Sequence, residues 1–285
     1  MEPMAERVVC LGAGAVTGGA WQLGVVWGLA EEGIDLAGAD RIIGTSAGAL
    51  IGAHLALGRP PQEAAELLLG LPVSGRMVRP ATLARLGAAQ VWPSRRHALT
   101  WLGRAALRSG WSRERGEEWV ASLGEGLAGV EWPARLVVVA VDALSGRPAY
   151  FTAASGVPLE QAIAATCALP GVFPPVLIEG RPHFDGALRS LVNLDLAVGA
   201  SSVVAVAPFT ASARPHRRPH EQAKLLAGSR VTLLQPDRAA RRVMGLDPVR
   251  TTRSDAVLAA GREFGRRHAE AVREVWQAPT SAAHS

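Results

Sequence analysis

Gly44-Thr45-Ser46-Ala47-Gly48 carries the clearest chemistry in the sequence: a G-x-S-x-G run that follows Ile42 and Ile43 and precedes small apolar residues. A serine on a sharp strand-to-helix turn projects its hydroxyl, and small flanking residues let the turn close. The start of the next helix also favours negative charge as it develops on a reacting carbonyl oxygen. The competing reading is an ordinary glycine-flanked turn in which Ser46 only caps that helix. The strand before and the small-residue helix after favour the nucleophile.

A second segment, Gly12-Ala13-Gly14-Ala15-Val16-Thr17-Gly18, follows the apolar run Arg7–Leu11. As a dinucleotide fingerprint it fails, because the sixth position of G-x-G-x-x-G counted from Gly12 is Thr17. No isolated acid follows a second strand about twenty residues on, where a ribose partner belongs. As an oxyanion loop it supplies backbone N–H groups for the charge on a carbonyl oxygen. Two neighbouring parallel strands ending on one edge would bring this loop to Ser46.

Ser46 then needs a base. Of the seven histidines, His216 and His220 occupy a basic loop, His268 a charged helix, His284 a polar tail, and His54 lies two turns beyond Ser46 on the same helix; His97 and His183 complete the set. None sits in a strand-end loop of the α/β-hydrolase kind. His183 is the strongest of them because it neighbours Asp185. Asp185-Gly186-Ala187 is the better candidate: an acid followed by glycine on a tight turn at a sheet edge. Its carboxylate can take a proton from a serine if burial raises its pKa. Taken alone, Asp185 would read as a hairpin or cap residue.

The elements that must position these groups alternate. Short strands are expected at Arg7–Leu11, Ile42–Ile43, Arg135–Asp142, Pro148–Thr152, Val176–Ile178, His183–Phe184, Ser202–Ala207 and Val231–Leu234. Helices are expected at about 18–32, at Ser46–Leu57, Pro61–Leu69 and Leu159–Ala168, with one long charged helix at Asp255–Val275. Between residues 71 and 133 the texture changes to a tryptophan- and arginine-rich helical insertion holding five of the eight tryptophans. These either pack the insertion's own core or form an acyl pocket or interfacial cap. Alternation of this kind predicts an α/β fold with a parallel or mixed sheet covered on both faces.

Composition excludes several classes. The 285 residues are 48% hydrophobic and 19% charged with two cysteines, Cys10 and Cys167, in apolar segments without C-x-x-C spacing. That rules against disorder, a disulfide scaffold and a cysteine zinc site, and no cluster of metal ligands is visible. The charge of +5 rests almost wholly on arginine, Lys224 being the only lysine. It is compatible with transient contact with an anionic membrane surface, whereas nucleic-acid binding lacks a recognisable module. Leu11 to Ala30 is uncharged over twenty residues but crowded with glycine, so it reads as strand, turn and buried helix rather than a membrane span. Acidic Glu2 and Glu6 precede it where a signal peptide would be basic. The expectation is a cytoplasmic protein, peripheral to membranes at most.

In combination the glycine loop, Gly44–Gly48 and Asp185-Gly186-Ala187 resemble the patatin-like phospholipase family. Trp21-Gln22-Leu23-Gly24-Val25 and the run from Ala165-Thr166-Cys167 to Pro174-Pro175-Val176 add to the likeness, which extends from Arg7 to about Pro208. The resemblance implies a three-layer α/β/α fold, with 7–210 as the hydrolase domain and 211–285 completing it. It implies a serine acyl hydrolase acting on lipid or other acyl esters without metal or cofactor, with Ser46 as nucleophile and Asp185 as proton acceptor. Ala13, Gly14 and Ala15 stand where the family has oxyanion glycines, with Gly18 in the same loop and the Ala47 amide beside it. Val16-Thr17 replaces the usual basic residue, and Leu194 replaces the proline after Asn193. Two other readings remain at this stage: a lipid-binding protein on this scaffold, and a histidine-dependent esterase.

Overall fold

The computed structural model describes residues 6–70, 80–108, 111–124, 126–245, 247–248 and 252–277. The opening of the anticipated insertion, 71–79, and the tail holding His284 lie outside them. In chain order the elements are β1 (Arg7–Leu11), α1 (Ala15–Glu31), β2 (Arg41–Gly44), α2 (Ala47–Ala56) and α3 (Pro61–Gly70). Three helices follow, α4 (Pro80–Val91), α5 (Arg95–Leu107) and α6 (Arg113–Gly124), and they make up the insertion. Next come β3 (Leu136–Asp142), β4 (Pro148–Phe151), α7 (Leu159–Thr166), β5 (Val176–Ile178), β6 (Arg181–Asp185) and β7 (Ser202–Val206). The chain continues through α8 (Pro219–Ala223), β8 (Arg230–Leu234), α9 (Arg238–Met244), α10 (Ser254–Arg267) and α11 (Ala269–Trp276).

The strands form one mixed sheet in the order β5-β6-β3-β2-β1-β7-β8, with β4 beside β3. The pairs β1–β2, β2–β3, β1–β7 and β7–β8 are parallel; β3–β4, β3–β6 and β5–β6 are antiparallel. Its central strands β1, β2, β3 and β7 are apolar on both faces, as burial on both sides requires. Alternate residues Val9, Leu11, Ile42, Val138 and Val204 face a core that includes Trp21, Leu50, Ile163 and Phe264. Val8, Cys10, Ile43, Val139 and Val203 face Val192, Leu194 and Leu226 on the other side. The long helices cover the first face. The second is closed mainly by 3-10 turns and short α8, with α5 against Val141.

The uncharged run Leu11–Ala30 becomes β1, its turn and buried α1, and among the described residues no helix is long and apolar enough to cross a membrane. Glycines let α1 meet α10 backbone to backbone. A Cβ on Gly24 would lie 2.2 Å from the Leu258 carbonyl oxygen, and one on Gly261 would lie 2.1 Å from that of Trp21.

The single long C-terminal helix expected at Asp255–Val275 is two helices, broken at His268. That residue leaves helical geometry at φ −103°, ψ 6°. Its ring hydrogen-bonds the Phe264 carbonyl at 2.8 Å and stacks on the Phe264 ring at 3.9 Å. A side chain that occupies the last-turn carbonyls in this way ends the helix, and α11 turns to lie against β7 and β8.

Candidate active site

Register brings the first two segments together. Leu11 pairs with Gly44 across the parallel β1–β2 ladder, so the residues after each strand emerge side by side. The loop after β1 is shorter than the sequence suggests: α1 starts at Ala15, not near Gly18. Low helix propensity in this glycine-containing first turn is offset by burial of most of the helix. Gln22, fully buried, brackets Gly12 by accepting from its N–H at 2.9 Å and donating to its carbonyl at 3.2 Å. The tight fit continues at Gly48, where a Cβ would sit 2.3 Å from the Leu11 carbonyl oxygen and 2.5 Å from that of Gly12. Only glycine lets α2 approach the loop so closely.

Ser46 holds φ +55° and ψ −132°, a conformation that costs a non-glycine residue on the order of 1–3 kcal/mol. It makes no side-chain cap to α2, so the capping role fails. Its Oγ instead donates to Asp185 Oδ2 at 2.9 Å. The turn is held by Thr166, whose Oγ1 accepts from the Ser46 amide at 2.9 Å and donates to the Val139 carbonyl at 2.5 Å. Thr166 was legible only as part of the run before Asp185, because nothing in a sequence says that a helix C-terminus reaches the turn after another strand. Behind Ser46, the Asn193 side-chain Nδ2 donates to Thr45 Oγ1 at 2.9 Å. Asn193 itself sits at φ +49°, a conformation Asn tolerates well.

Asp185 ends β6, level with Ala140 of β3. It reaches Ser46 from a strand running against the parallel set. Its Oδ1 accepts from the Ala187 amide at 2.8 Å, so one oxygen caps a short 3-10 turn while the other faces the serine. The side chain is 4% exposed, and burial pushes its carboxyl up to about 7, against the opposing pull of the Ala187 and Ser46 hydrogen bonds. A carboxyl balanced near neutrality can both accept and return a proton.

Ser46 and Asp185 line one cavity of about 240 Å³ together with Ala13, Ala15 and Ala47. The rest of its wall is largely apolar, with Leu50, Leu86, Trp119, Leu123 and Phe173 contributed by α2, the insertion helices and the loop before β5. Trp119 stacks on Phe173 at 4.2 Å and donates to the Ala164 carbonyl at 3.1 Å. Of the five insertion tryptophans it alone lines this cavity among the described residues. Trp111 and Trp132 donate to the carbonyls of Pro175 and Leu136, and Trp92 stacks on Trp101. Trp119 thus lines the cavity, while Trp92 and Trp101 pack on each other within the insertion. Cys167 also lines the cavity, its thiol against the Ser46 hydroxyl and kept protonated by burial and the nearby Asp185 charge.

Fewer backbone amides of these loops are left without an acceptor than the sequence suggests. The Ala13 amide is spent on the Leu191 carbonyl at 2.7 Å and the Gly18 amide on that of Gly14 at 2.7 Å. The amides of Gly14, Ala15 and Ala47 have no acceptor among the described residues. They stand at the starts of α1 and α2, where free N–H groups and helix dipoles favour an anion. Ala15 adopts φ +47°.

No histidine of the described residues joins Ser46. His183 hydrogen-bonds the Arg181 carbonyl at 2.9 Å and meets the Phe151 ring edge-on. His54 is 3% exposed within α2, with neither ring nitrogen hydrogen-bonded among the described residues, and burial lowers its pKa to about 4. No group of three or more His, Cys, Asp or Glu among the described residues could hold a metal ion.

No curated protein sequence matches the chain. Two of the solved structures that the chain is similar to are VipD and ExoU. VipD from Legionella pneumophila is 13% identical at a TM-score of 0.47, over 94% of this chain and 67% of that one. The type III effector ExoU is 18% identical at 0.45, over 95% of this chain. The chain spans 54% of the length of ExoU. The family model of patatin-like phospholipases matches residues 9–198, a span that holds the glycine loop, Ser46 and Asp185, and the chain belongs to the patatin-like phospholipase family.

Proposed function

We propose that the chain is a serine acyl hydrolase that cleaves carboxylic esters of lipids with a Ser46–Asp185 dyad. The observation that carries this reading is the 2.9 Å hydrogen bond from Ser46 Oγ to Asp185 Oδ2 inside a largely apolar cavity edged by unspent amides. Asp185 takes the hydroxyl proton as Oγ attacks the ester carbonyl. The amides of Gly14, Ala15 and Ala47 receive the oxyanion. Collapse of the tetrahedral species expels the alcohol, which takes the proton back from Asp185, and leaves an acyl group on Ser46. Asp185 then accepts a proton from water, whose oxygen attacks the acyl carbonyl, and the acid leaves as the proton returns to Ser46.

The apolar walls suit an acyl chain, and Trp119 and Phe173 give it an aromatic flank. A panel of simple esters, lysolipids, phospholipids and triglycerides tests the reading with wild type, Ser46→Ala and Asp185→Asn. The expected result is hydrolysis and fluorophosphonate labelling by wild type only. A wild-type protein that binds lipid but neither labels nor turns over would leave a binding role on the same scaffold. Activity that survives Asp185→Asn and is lost on His183→Ala would favour a histidine-dependent esterase.

A further inference from the structure

Four arginines gather beside the catalytic cavity with too little negative charge to balance them. Arg95 opens α5; Arg214 and Arg217 lie in the stretch before α8; Arg189 follows the Asp185-Gly186-Ala187 turn. Asp195 is the carboxylate that acts on Arg95, and it is already engaged. Arg189 grips both its oxygens at 2.9 and 2.5 Å, and Gln222 donates to it at 3.3 Å. What remains is unusual for arginine. Arg217 is 6% exposed, and its Nε has no acceptor among the described residues. The same is true of Nε and Nη2 of Arg95 and of Nε of Arg214.

A buried guanidinium N–H without an acceptor costs more than an ordinary lost hydrogen bond, and here three such side chains repel one another. Burial and the charges of Arg95, Arg214 and Arg189 together lower the pKa of Arg217 to about 10. The first turn of α5 holds Arg95, Arg96 and His97 and no acid, the reverse of what a helix N-terminus favours. Each of these features is relieved by the same ligand, an anion with several oxygens and more than one charge.

We propose that Arg95, Arg214 and Arg217 form a binding site for a phosphate group. A phosphate monoester fits the donor set: its terminal oxygens can accept the Arg95 fork and the Nε groups of Arg214 and Arg217. The site adjoins the dyad cavity. Gln90 lines that cavity and is hydrogen-bonded by Ser212 beside Arg214, and Leu188 of the cavity wall precedes Arg189. Exposed Tyr150, over which Arg189 lies at 5.6 Å, and exposed Trp92, whose carbonyl accepts from Arg214, flank it. A lipid headgroup and free phosphate share this chemistry.

The test uses the full chain with Ser46→Ala beside wild type, so that a failure to hydrolyse esters and a failure to bind phosphate are separate results. Inorganic phosphate is expected to raise the Tm of both proteins above that in chloride of equal ionic strength. Arg95→Met and Arg217→Met should lose this shift and, without phosphate, unfold at a higher temperature than their parent because one repelling charge is gone. If Arg217→Met does not fold, Arg95→Met, at a half-buried position, carries the test. Retention on phosphatidylcholine vesicles containing phosphatidic acid, and not on phosphatidylcholine alone, identifies the headgroup. A Tm shift without retention identifies free phosphate. No shift and no retention, or a shift unchanged in Arg95→Met, overturns the site.

Discussion

Ser46 Oγ and Asp185 Oδ2 stand 2.9 Å apart although 139 residues separate them in sequence, and Asp185 Oδ1 is fixed at 2.8 Å by the Ala187 amide. The carboxylate is thereby aimed at the hydroxyl. Replacing it with the isosteric amide keeps the shape and removes the proposed proton acceptor. Asp185→Asn and Ser46→Ala are each expected to lower kcat by about a thousandfold or more in an ester assay, with near-wild-type circular dichroism.

The raised carboxyl makes activity and stability move oppositely with pH. In the proposed mechanism only ionised Asp185 accepts the serine proton, so kcat/KM should climb with pH and reach half its plateau near 7. Folding works the other way. A carboxyl whose pKa goes from an ordinary 3.8 to about 7 on folding contributes stability that is present in full below about 4 and lost as pH rises through about 7. Denaturant titrations of wild type against Asp185→Asn should show the variant gaining relative stability across that window. A flat difference would sink the assignment of the raised pKa to Asp185.

Thr166 is expected to act as a positioning residue. Thr166→Val leaves the buried Ser46 amide without an acceptor and the Val139 carbonyl without that donor, a loss of about 1–3 kcal/mol. Thermal unfolding should shift down and kcat should fall with KM little changed. Thr166→Ser restores the hydroxyl and should recover both, which a simple packing defect would not.

Two substitutions of opposite sign probe the turns. Gly48→Ala places a methyl 2.3 Å from the Leu11 carbonyl oxygen, a backbone atom that cannot rotate away, and the variant is expected to lose the fold or the activity. Ala15→Gly relieves a φ of +47° and should stabilise by on the order of 0.5–1 kcal/mol, measurable as a higher denaturation midpoint, without loss of activity.

Local features were the legible ones. The apolar runs and the glycine turns are written into short windows, and strands β1, β2, β5, β7 and β8 lie where those windows predict. Helix ends were less so: α1 begins three residues early because tertiary burial outweighs its glycine content, and His268 breaks the last helix through a ring contact invisible to charge periodicity.

By itself the sequence determined the types of the groups proposed to react, since a strand-turn-helix serine and an acid before glycine are read from neighbours within a few residues. Which groups meet was left to the tertiary structure. The β1–β2 register set the loop beside Ser46, and the antiparallel return of β6 carried Asp185 to it. Packing alone buried the carboxylate, spent the Ala13 amide on Leu191 and brought Arg95, Arg189, Arg214 and Arg217 within reach of one another's charges. The physical reason is range: backbone propensity acts over a turn or two, while desolvation and Coulomb energy depend on residues that adjoin only after folding.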